Sequence, residues 1–411
     1  MEVPSFIRPS VARQIKTIDM HTTGEPTRII YAGYPDITGT LLEQRATARA
    51  EHDHIRRSLI FEPRGHHDMY GAVLRPSTEL VDTGAAHMGA LFLTHEGYST
   101  MCGHATIALS RLLVDCDDAT IFPRRHELRF DQGTRTVELR LHVPCGLVRV
   151  SVPAIQTGDD TSSSFRTDTS RPITYLSVPS FATAISIPIP VPPSLRWPEL
   201  ASSSSSSSVT ASVAFGGAFY LIVPAAQLGF PADALSSPNP PITALRHAAI
   251  NLKAAFTQSA DLCAAHLRHP HSPDLQFLYS VFVTEAGRGE VLDGCDGAET
   301  GLCVFADGQI DRSPTGSGVQ ARVALAVAKG ERGVGKERWV YHSLLSNAFA
   351  GKGGFVGRAV EEVEIGDGDG EKIKGVRVEV SGWANYTGVN TFVVEEGDEV
   401  GAGFSFEALG S

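Results

Sequence analysis

Alternation between apolar and polar positions is clearest in residues 136–153. Apolar side chains occupy every second position in residues 137–143 and again in 148–152, on either side of Cys145-Gly146. Successive side chains of a strand point to opposite faces, so this pattern predicts a β-hairpin with one buried face. Similar shorter runs predict strands at residues 15–20, 27–32, 276–283, 374–380 and 390–394.

Other stretches carry helical spacing or an unbroken apolar run. Residues 41–60 and 242–262 repeat apolar positions with the period of a helix, and each predicts one long helix. Residues 213–223 are apolar apart from Gly216-Gly217 and predict a single strand. A glycine pair within a strand indicates that another backbone or a ligand approaches closely at that point.

Two loop-and-helix motifs share one pattern. The first, Met101-Cys102-Gly103-His104, follows a predicted strand and opens a short apolar helix. The second, Thr315-Gly316-Ser317-Gly318, opens another such helix after the turn residues Asp311-Arg312-Ser313-Pro314. When the motifs are superposed, Thr315 falls on Cys102 and Gly316 falls on Gly103. Their separation is close to half of the 411 residues, which indicates a chain with two similar halves.

Cys102 is expected at the N-terminus of its helix, where unpaired N–H groups and the helix dipole favour a thiolate. Such a group is a base as well as a nucleophile. The N–H groups of Gly103 and His104 would form an anion site at the same point. An isolated cysteine is more often a small core residue, but a glycine-flanked helix start favours a function. His104 is either an ordinary helix-start residue or a group that hydrogen-bonds a ligand or tunes Cys102.

Thr315 and Asp311 each allow a structural and a functional interpretation. We expect Thr315 to cap its helix and also to touch a substrate. Asp311 suits a turn, or, just before a helix end that binds a carboxylate, the ammonium group of an amino acid. Two helix N-termini facing one cleft could hold a carboxylate between them, with Cys102 as a base on one side and only a hydroxyl on the other.

Many strands and few helices predict an α+β (α/β) protein whose two halves each wrap a mixed or antiparallel sheet round one central helix. We expect residues 1–195 to form the N-terminal half with the Cys102 motif, and 213–385 the C-terminal half with the Thr315 motif. Residues 196–212, which include the serine run Ser202 to Ser208, are expected to be an insertion or linker. Residues 386–411 would supply final strands that could return to the first half.

Composition narrows the class of protein. An apolar fraction of 42% with 20% charged residues is ordinary for a soluble protein, and the length favours two domains. A net charge of −11 argues against nucleic acid or an acidic membrane as a main partner. The six cysteines are scattered without a C-x-x-C pair, which favours a reducing, cytoplasmic location over a disulfide framework. Arg8, Arg13 and Lys16 leave mitochondrial targeting as a weaker alternative.

No metal site is predicted. His266, His269 and His271 are close in sequence, but Pro270 breaks any helix that would align them, and no carboxylate or cysteine completes a ligand set. A polar loop is the favoured interpretation of this stretch.

Four motifs taken together resemble the proline racemase family over nearly the whole chain. In order along the sequence they are Asp19-Met20-His21-Thr22-Thr23-Gly24-Glu25-Pro26, Met101-Cys102-Gly103-His104, Gly216-Gly217-Ala218-Phe219-Tyr220 and Asp311-Arg312-Ser313-Pro314-Thr315-Gly316-Ser317-Gly318. The resemblance implies two pseudo-symmetric halves of the diaminopimelate epimerase type, a proline-like substrate in the cleft between them, and no cofactor. It also suggests a homodimer.

Racemases and epimerases of this family carry one cysteine on each half, whereas the second position here is Thr315. A threonine hydroxyl is too weak a base and too poor an acid to replace a thiol at neutral pH. The pattern therefore resembles the branch that dehydrates trans-3-hydroxy-L-proline to 1-pyrroline-2-carboxylate. Alternatives are a proline racemase or hydroxyproline epimerase that works with one thiol and an ordered water, and a non-catalytic imino-acid binding protein.

Carried over by residue, the resemblance makes Cys102 the acceptor of the α-proton and places Thr315 near the leaving hydroxyl or a water. The substrate carboxylate would contact Gly103, His104, Gly316 and Ser317, and the ring amine would contact Asp311. Ala218 stands where racemases usually have asparagine, which again suits the dehydratase branch. Thr23 replaces a common glycine, so the loop that bears His21 and Glu25 is expected to differ in shape.

Overall fold

A computed structural model describes residue 7 and residues 12–157, 165–202, 207–366 and 372–406. The described residues form a mixed α/β fold with many strands and few helices. The chain separates into two compact units. The first unit comprises Met1–Tyr175 with Trp383–Ser411, and the second comprises Leu176–Gly382.

The strands and helices are numbered along the chain. The strands are β1 (Ala12–Thr22), β2 (Glu25–Ala32), β3 (Gly71–Arg75), β4 (Met88–Leu93), β5 (Tyr98–Ser99), β6 (Phe130–Asp131), β7 (Thr136–Val143), β8 (Gly146–Gln156), β9 (Phe165–Thr167), β10 (Ile173–Leu176), β11 (Phe181–Pro190), β12 (Ser208–Phe215), β13 (Phe219–Pro224), β14 (Leu278–Ala286), β15 (Gly297–Phe305), β16 (Gln309–Ile310), β17 (Trp339–His342), β18 (Phe355–Ile365), β19 (Ile373–Gly382) and β20 (Asn385–Glu395). The α-helices are α1 (Leu41–Glu51), α2 (Asp53–Ile60), α3 (Glu79–Asp82), α4 (Gly103–Asp115), α5 (Pro198–Ala201), α6 (Ile242–Thr257), α7 (Ala260–His266), α8 (Gly316–Ala328) and α9 (Leu344–Ala348). Short 3-10 helices span Pro123–Glu127, Pro193–Leu195, Ala225–Leu228, Pro273–Leu275 and Val400–Ala402.

The first unit is a mixed sheet packed around α4. Strand β1 pairs antiparallel with β2 and with β20, so the last long strand of the chain belongs to this unit. The sheet continues through parallel β2–β3, antiparallel β3–β4, parallel β4–β7 and the antiparallel β7–β8 hairpin. Helix α4 contacts β1, β2, β7, β8 and β9. Eleven of its residues are buried, so it is the central helix of this unit.

Small polar residues are accommodated inside α4 because their hydroxyls bond within the helix. Thr106 Oγ1 donates to the carbonyl of Cys102 at 2.7 Å, and Ser110 Oγ donates to the carbonyl of Thr106 at 2.7 Å. Such bonds to the preceding turn satisfy a buried hydroxyl without another side chain. These two hydroxyls therefore need no partner from the surrounding strands.

The second unit repeats this plan around α8. Strands β11, β12 and β13 are antiparallel neighbours, and β13 continues through β14, β15, β17, β18 and β19. Helix α8 contacts β11, β12, β13, β18 and β19, and eleven of its residues are buried. Arg322, in the middle of α8, forms a buried ion pair of 2.5 Å with Glu299 on β15. The predicted class, with one central helix in each sheet, is confirmed.

Three predicted elements are divided in the structure. The helix predicted at residues 41–60 is two helices, because the chain turns at His52 between α1 and α2. The helix predicted at 242–262 ends with α6, and Ser259 then caps α7 by accepting from Leu262 N at 3.3 Å. The strand predicted at 213–223 belongs to an antiparallel hairpin, β12 and β13, with Gly216-Gly217 in its turn.

The close approach predicted at the glycine pair is confirmed. A Cβ added to Gly216 would lie 2.2 Å from the carbonyl oxygen of Ser317 and 2.6 Å from Ala321 N. Only glycine leaves room there for the first turns of α8. The hairpin thus packs its turn directly on the backbone of the second helical motif.

The segment predicted as a linker, residues 196–212, contains regular structure. It includes α5 and the first residues of β12, and Trp197 is fully buried with its indole N–H donating to Leu228 O at 2.7 Å. Residues 203–206 of the serine run lie outside the described residues. Because β11 pairs with β12, the second unit begins at Leu176, before the predicted linker.

Helices long and apolar enough to cross a bilayer do not occur among the described residues.

Candidate active site

The sulfur of Cys102 lies at the start of α4, as the sequence predicts. The helix begins at Gly103, and Cys102 occupies the N-cap position with extended backbone angles. Ala105 N donates to Sγ at 3.3 Å, and the cysteine is 4% exposed. An N–H donor and the positive end of the helix both stabilise negative charge on sulfur. The helix start therefore favours negative charge on this buried sulfur.

His104 is packed against this sulfur. Its Nδ1 lies 3.2 Å from Cys102 Sγ. Its ring meets the Tyr70 ring edge-on, with centroids 4.6 Å apart, and Thr22 Oγ1 donates to its carbonyl at 3.0 Å. The residue is 3% exposed. His104 thus contacts both the core, through Tyr70, and the Cys102 sulfur.

In the second unit, Asp311 is fixed by the turn that precedes α8. Its Oδ1 accepts from Ser313 N at 2.7 Å, and its Oδ2 accepts from the Thr315 hydroxyl at 2.7 Å. Ser313 in turn accepts from Thr315 N at 3.1 Å through its own Oγ. These bonds realise the predicted turn, and they hold the buried carboxylate in one orientation.

Thr315 does not cap its helix with its side chain, so that part of the prediction is wrong. The residue occupies the N-cap position with φ 62° and ψ 92°, and its hydroxyl makes no capping bond. A positive φ is costly for a β-branched residue. In this conformation the hydroxyl donates to Asp311 instead of accepting from the helix N–H groups.

Gly316 and Ser317 form the first turn of α8. Ser317 Oγ lies 2.6 Å from the hydroxyl of Tyr220, which is fully buried. A Cβ on the following Gly318 would lie 2.4 Å from the Phe282 ring, so the third residue of the turn must be small. The helix start therefore packs tightly while keeping one buried hydroxyl at its N-terminal end.

Each set of predicted residues is brought together within its own unit. Cys102, Gly103 and His104 are adjacent at the start of α4. The other four, at the start of α8 and in the turn before it, are Asp311, Thr315, Gly316 and Ser317.

Sequence reasoning missed some neighbours of these residues. Tyr70 and Thr22 hold His104. Tyr220 lies within the motif Gly216 to Tyr220, but no sequence pattern indicates its hydrogen bond with Ser317. Tyr70, Thr22 and Tyr220 are distant in sequence from the residues that they contact, and periodicity carries no signal for such contacts.

A cavity of about 770 Å³ in the second unit includes Asp311 in its wall. The wall is otherwise largely apolar, with Leu302, Ile310 and Leu344 among its residues, and does not include the first turn of α8. Besides Asp311, its charged wall residues are Glu290 and Arg312, and it lies apart from the carboxylate site expected at Gly316 and Ser317.

Of the three histidines considered for a metal, His269 and His271 lie in a loop as predicted, whereas His266 is the last residue of a helix. His266 ends α7, and His269 lies beyond it with its Nδ1 accepting from Ser272 N at 3.2 Å. Burial, and secondarily the charge of His271, lower the pKa of His269 to about 4. The ring nitrogen of His269 is thus engaged by the main chain.

Comparison with known proteins shows the family to which the chain is related. The family model described as proline racemase matches residues 17–405. The chain is 40% identical over 391 residues to the Homo sapiens protein named trans-3-hydroxy-L-proline dehydratase, covering 95% of this chain and 94% of the relative. It is 31% identical over 401 residues to the Burkholderia ambifaria protein of the same name, covering 96% and 98%.

Solved structures show the same fold. A hydroxyproline epimerase from Agrobacterium vitis with bound trans-4-hydroxy-L-proline matches with a TM-score of 0.69 at 19% identity, covering 96% of both chains. A probable proline racemase from Agrobacterium radiobacter also matches with a TM-score of 0.69, at 20% identity, covering 96% of this chain and 97% of the other. From the family match and the extent of identity to its relatives, this chain belongs to the proline racemase family.

Proposed function

We propose that this protein is a hydro-lyase that dehydrates trans-3-hydroxy-L-proline to 1-pyrroline-2-carboxylate. Relatives 40% identical over nearly the whole chain carry the name of this activity. The observation that carries the proposal is the difference between the two helix starts. Cys102 Sγ accepts a hydrogen bond from a helix N–H, whereas the Thr315 hydroxyl donates a hydrogen bond to Asp311.

The reaction begins at Cys102. Its thiolate accepts the α-proton of the substrate, and the electron pair left behind forms a double bond between the α and β carbons. The bond from carbon 3 to its hydroxyl breaks, and the hydroxide takes up the proton that the Cys102 thiol has accepted, so that water leaves and the thiolate is restored. The enamine product then tautomerises to 1-pyrroline-2-carboxylate. Because the leaving group ends the lifetime of the carbanion, a single base is sufficient.

We propose that the carboxylate of the substrate binds at the helix starts, through Gly103, His104, Gly316 and Ser317. Negative charge develops on the α-carbon and on this carboxylate as the α-proton is removed. Backbone N–H groups at a helix N-terminus stabilise such charge without reorganising. Ser317 adds a buried hydroxyl at the same helix start.

Asp311 is proposed to bind the ring ammonium. Its two oxygens each already accept one hydrogen bond of 2.7 Å, and a carboxylate can accept further bonds. Because the Thr315 hydroxyl donates a hydrogen bond to this carboxylate, its oxygen can accept a hydrogen bond from the substrate hydroxyl or from a water. Thr315 thus orients the leaving side of the reaction but cannot supply a proton to the α-carbon.

The test is to incubate purified protein with trans-3-hydroxy-L-proline and to measure pyrroline-carboxylate. L-proline and trans-4-hydroxy-L-proline run beside it as substrates without a 3-hydroxyl. The proposal predicts product from the first compound alone. Inversion of the other two compounds without dehydration of the first would identify an epimerase or racemase. Binding of all three without any turnover would identify an imino-acid binding protein.

A cytoplasmic location and a homodimer are also proposed. None of the six cysteines, all of which are described, takes part in a disulfide, and this agrees with a reducing compartment. Cell fractionation tests the location, and light scattering on the purified protein tests the dimer.

A further inference from the structure

Tyr220 and Ser317 form an isolated pair of buried hydroxyls. Their oxygens lie 2.6 Å apart, and the residues are 0% and 2% exposed. Among the described residues, each of these two hydroxyls has the other as its one hydrogen-bond partner. Tyr220 projects from β13, and Ser317 lies in the first turn of α8.

The relative donor strengths of the two hydroxyls indicate which of them donates the hydrogen bond. Two hydroxyls carry two protons, and the bond between them uses one. Burial, with smaller contributions from neighbouring groups such as Cys303, raises the pKa of Tyr220 well above its ordinary value, so the phenol keeps its proton. A phenol is a stronger hydrogen-bond donor than an aliphatic alcohol. Tyr220 therefore donates to Ser317, and the proton of Ser317 is left without an acceptor in the described part of the chain.

A buried hydroxyl proton without an acceptor is costly, and it is satisfied when a ligand supplies one. The site on α8 is also a helix N-terminus, where an anionic acceptor is favoured. The opposite arrangement, in which Ser317 donates to Tyr220, would leave no side-chain donor for an anion at this position. The direction of one hydrogen bond thus decides whether Ser317 can serve a carboxylate.

We propose that Tyr220 is a positioning residue that sets Ser317 as a hydrogen-bond donor toward the carboxylate of the substrate. This inference rests on the proposed role of Ser317 in the dehydratase. Tyr220 is 0% exposed, and its proposed action on the carboxylate passes through the serine hydroxyl. It follows that the pair should matter for a carboxylate ligand and hardly at all for the neutral amide of the same ring.

The experiment compares the binding of L-proline and L-prolinamide by calorimetry, which needs no turnover. The variants are Tyr220→Phe, Ser317→Ala and the double variant. Ser317→Ala loses a hydrogen bond to a charged group and is predicted to bind L-proline about ten-fold more weakly. Tyr220→Phe leaves the Ser317 hydroxyl without its partner and is predicted to weaken L-proline binding in the same direction. Both variants should change prolinamide binding by less than about two-fold. The double variant is expected to match Ser317→Ala, because Tyr220 acts through Ser317.

Tyr279→Phe is the matched control. It removes a hydroxyl from the neighbouring buried tyrosine, whose ring lies 5.8 Å from that of Tyr220, and it leaves the bond to Ser317 in place. We expect it to bind L-proline within about two-fold of the unmodified protein.

Three results would overturn the inference. The first is Tyr220→Phe with unchanged affinity for L-proline, and the second is a double variant in which the two losses multiply. The third applies if Tyr220→Phe fails to fold, and it is a Ser317→Ala variant that still prefers L-proline over prolinamide as the unmodified protein does. Such a result would exclude the Ser317 hydroxyl as the donor. Absence of pyrroline product from the unmodified protein, with L-proline still bound in this pattern, would reject the dehydratase while supporting the role of Tyr220.

Discussion

The hydroxyl of Thr315 donates to Oδ2 of Asp311 at 2.7 Å, and this bond makes the two matching helix starts chemically unequal. At the equivalent position before α4, Cys102 Sγ accepts from a helix N–H at 3.3 Å. One position therefore offers a sulfur that can take a proton. The other offers an oxygen whose own proton is already committed to a carboxylate.

Replacement of Cys102 by serine tests the base. A serine hydroxyl is a far weaker base than a thiolate, so we expect the dehydration rate to fall by about a thousand-fold or more with the fold intact. The rate is measured by pyrroline-carboxylate formation and the fold by circular dichroism. Cys116→Ser, at the C-cap of the same helix, is the matched control and should keep the rate. A Cys102→Ser enzyme with its full rate would exclude the sulfur as the base.

Replacement of Thr315 by cysteine should introduce racemisation. The new thiol can return a proton where threonine cannot, so L-proline is expected to yield measurable D-proline on chiral chromatography. Thr315→Ser keeps a hydroxyl and loses the branched methyl, and it should yield no D-proline. If neither variant racemises proline, more than this one residue separates the two activities.

The turn between β1 and β2 offers a stability prediction. Thr23 and Gly24 both have positive φ, at 51° and 81°, as in the tight hairpin turn that favours Asn-Gly. Threonine pays a steric cost in this conformation, so Thr23→Asn should raise the free energy of unfolding by about 1 kcal/mol. Thr23→Gly should change it in the same direction or leave it level. Urea unfolding measures both, and a lower stability of the asparagine variant would contradict the turn geometry.

The stability of the protein should depend on His87 in mildly acidic solution. Burial, assisted by the nearby charge of Arg140, lowers the pKa of His87 to about 4, and its Nδ1 accepts from Arg140 N at 3.1 Å. Between the unfolded pKa of about 6.5 and this value, the unfolded chain binds a proton that the native state does not. Stability contributed by His87 is therefore complete above pH 6.5 and falls as the pH drops toward 4, by up to about 3 kcal/mol.

His87→Gln isolates this effect, because glutamine can accept from Arg140 N but does not titrate. Its free energy of unfolding should fall less steeply between pH 6.5 and 4 than that of the unmodified protein. Equal slopes for the two proteins would show that the neutral state of His87 does not govern acid stability.

The motifs around Cys102 and Thr315 could be located from sequence because their signal is local. Each combines an apolar helix with glycine at its first turn, and the two helices begin at Gly103 and Gly316 as predicted. The hairpin at residues 136–153 was likewise recognisable, since strict alternation over both strands leaves one register that buries the apolar face.

What the sequence could not provide is set by single backbone angles and by distant partners. The helical spacing of apolar residues continues across His52, so the sequence gives no sign of the turn that separates α1 from α2. The positive φ of Thr315 redirects its hydroxyl from the helix to Asp311, and no propensity anticipates that choice. The contact of Tyr220 with Ser317 depends on how β13 packs on α8, which is a property of the whole sheet.

The most direct test of the account is proton exchange on L-proline in deuterium oxide, followed by nuclear magnetic resonance and chiral analysis. L-proline has an α-proton for Cys102 to remove but no hydroxyl to lose. One base acting on one face predicts deuterium at the α-carbon with the L configuration retained. Formation of deuterated D-proline by the unmodified protein would contradict the claim that Thr315 leaves the second face without a proton donor.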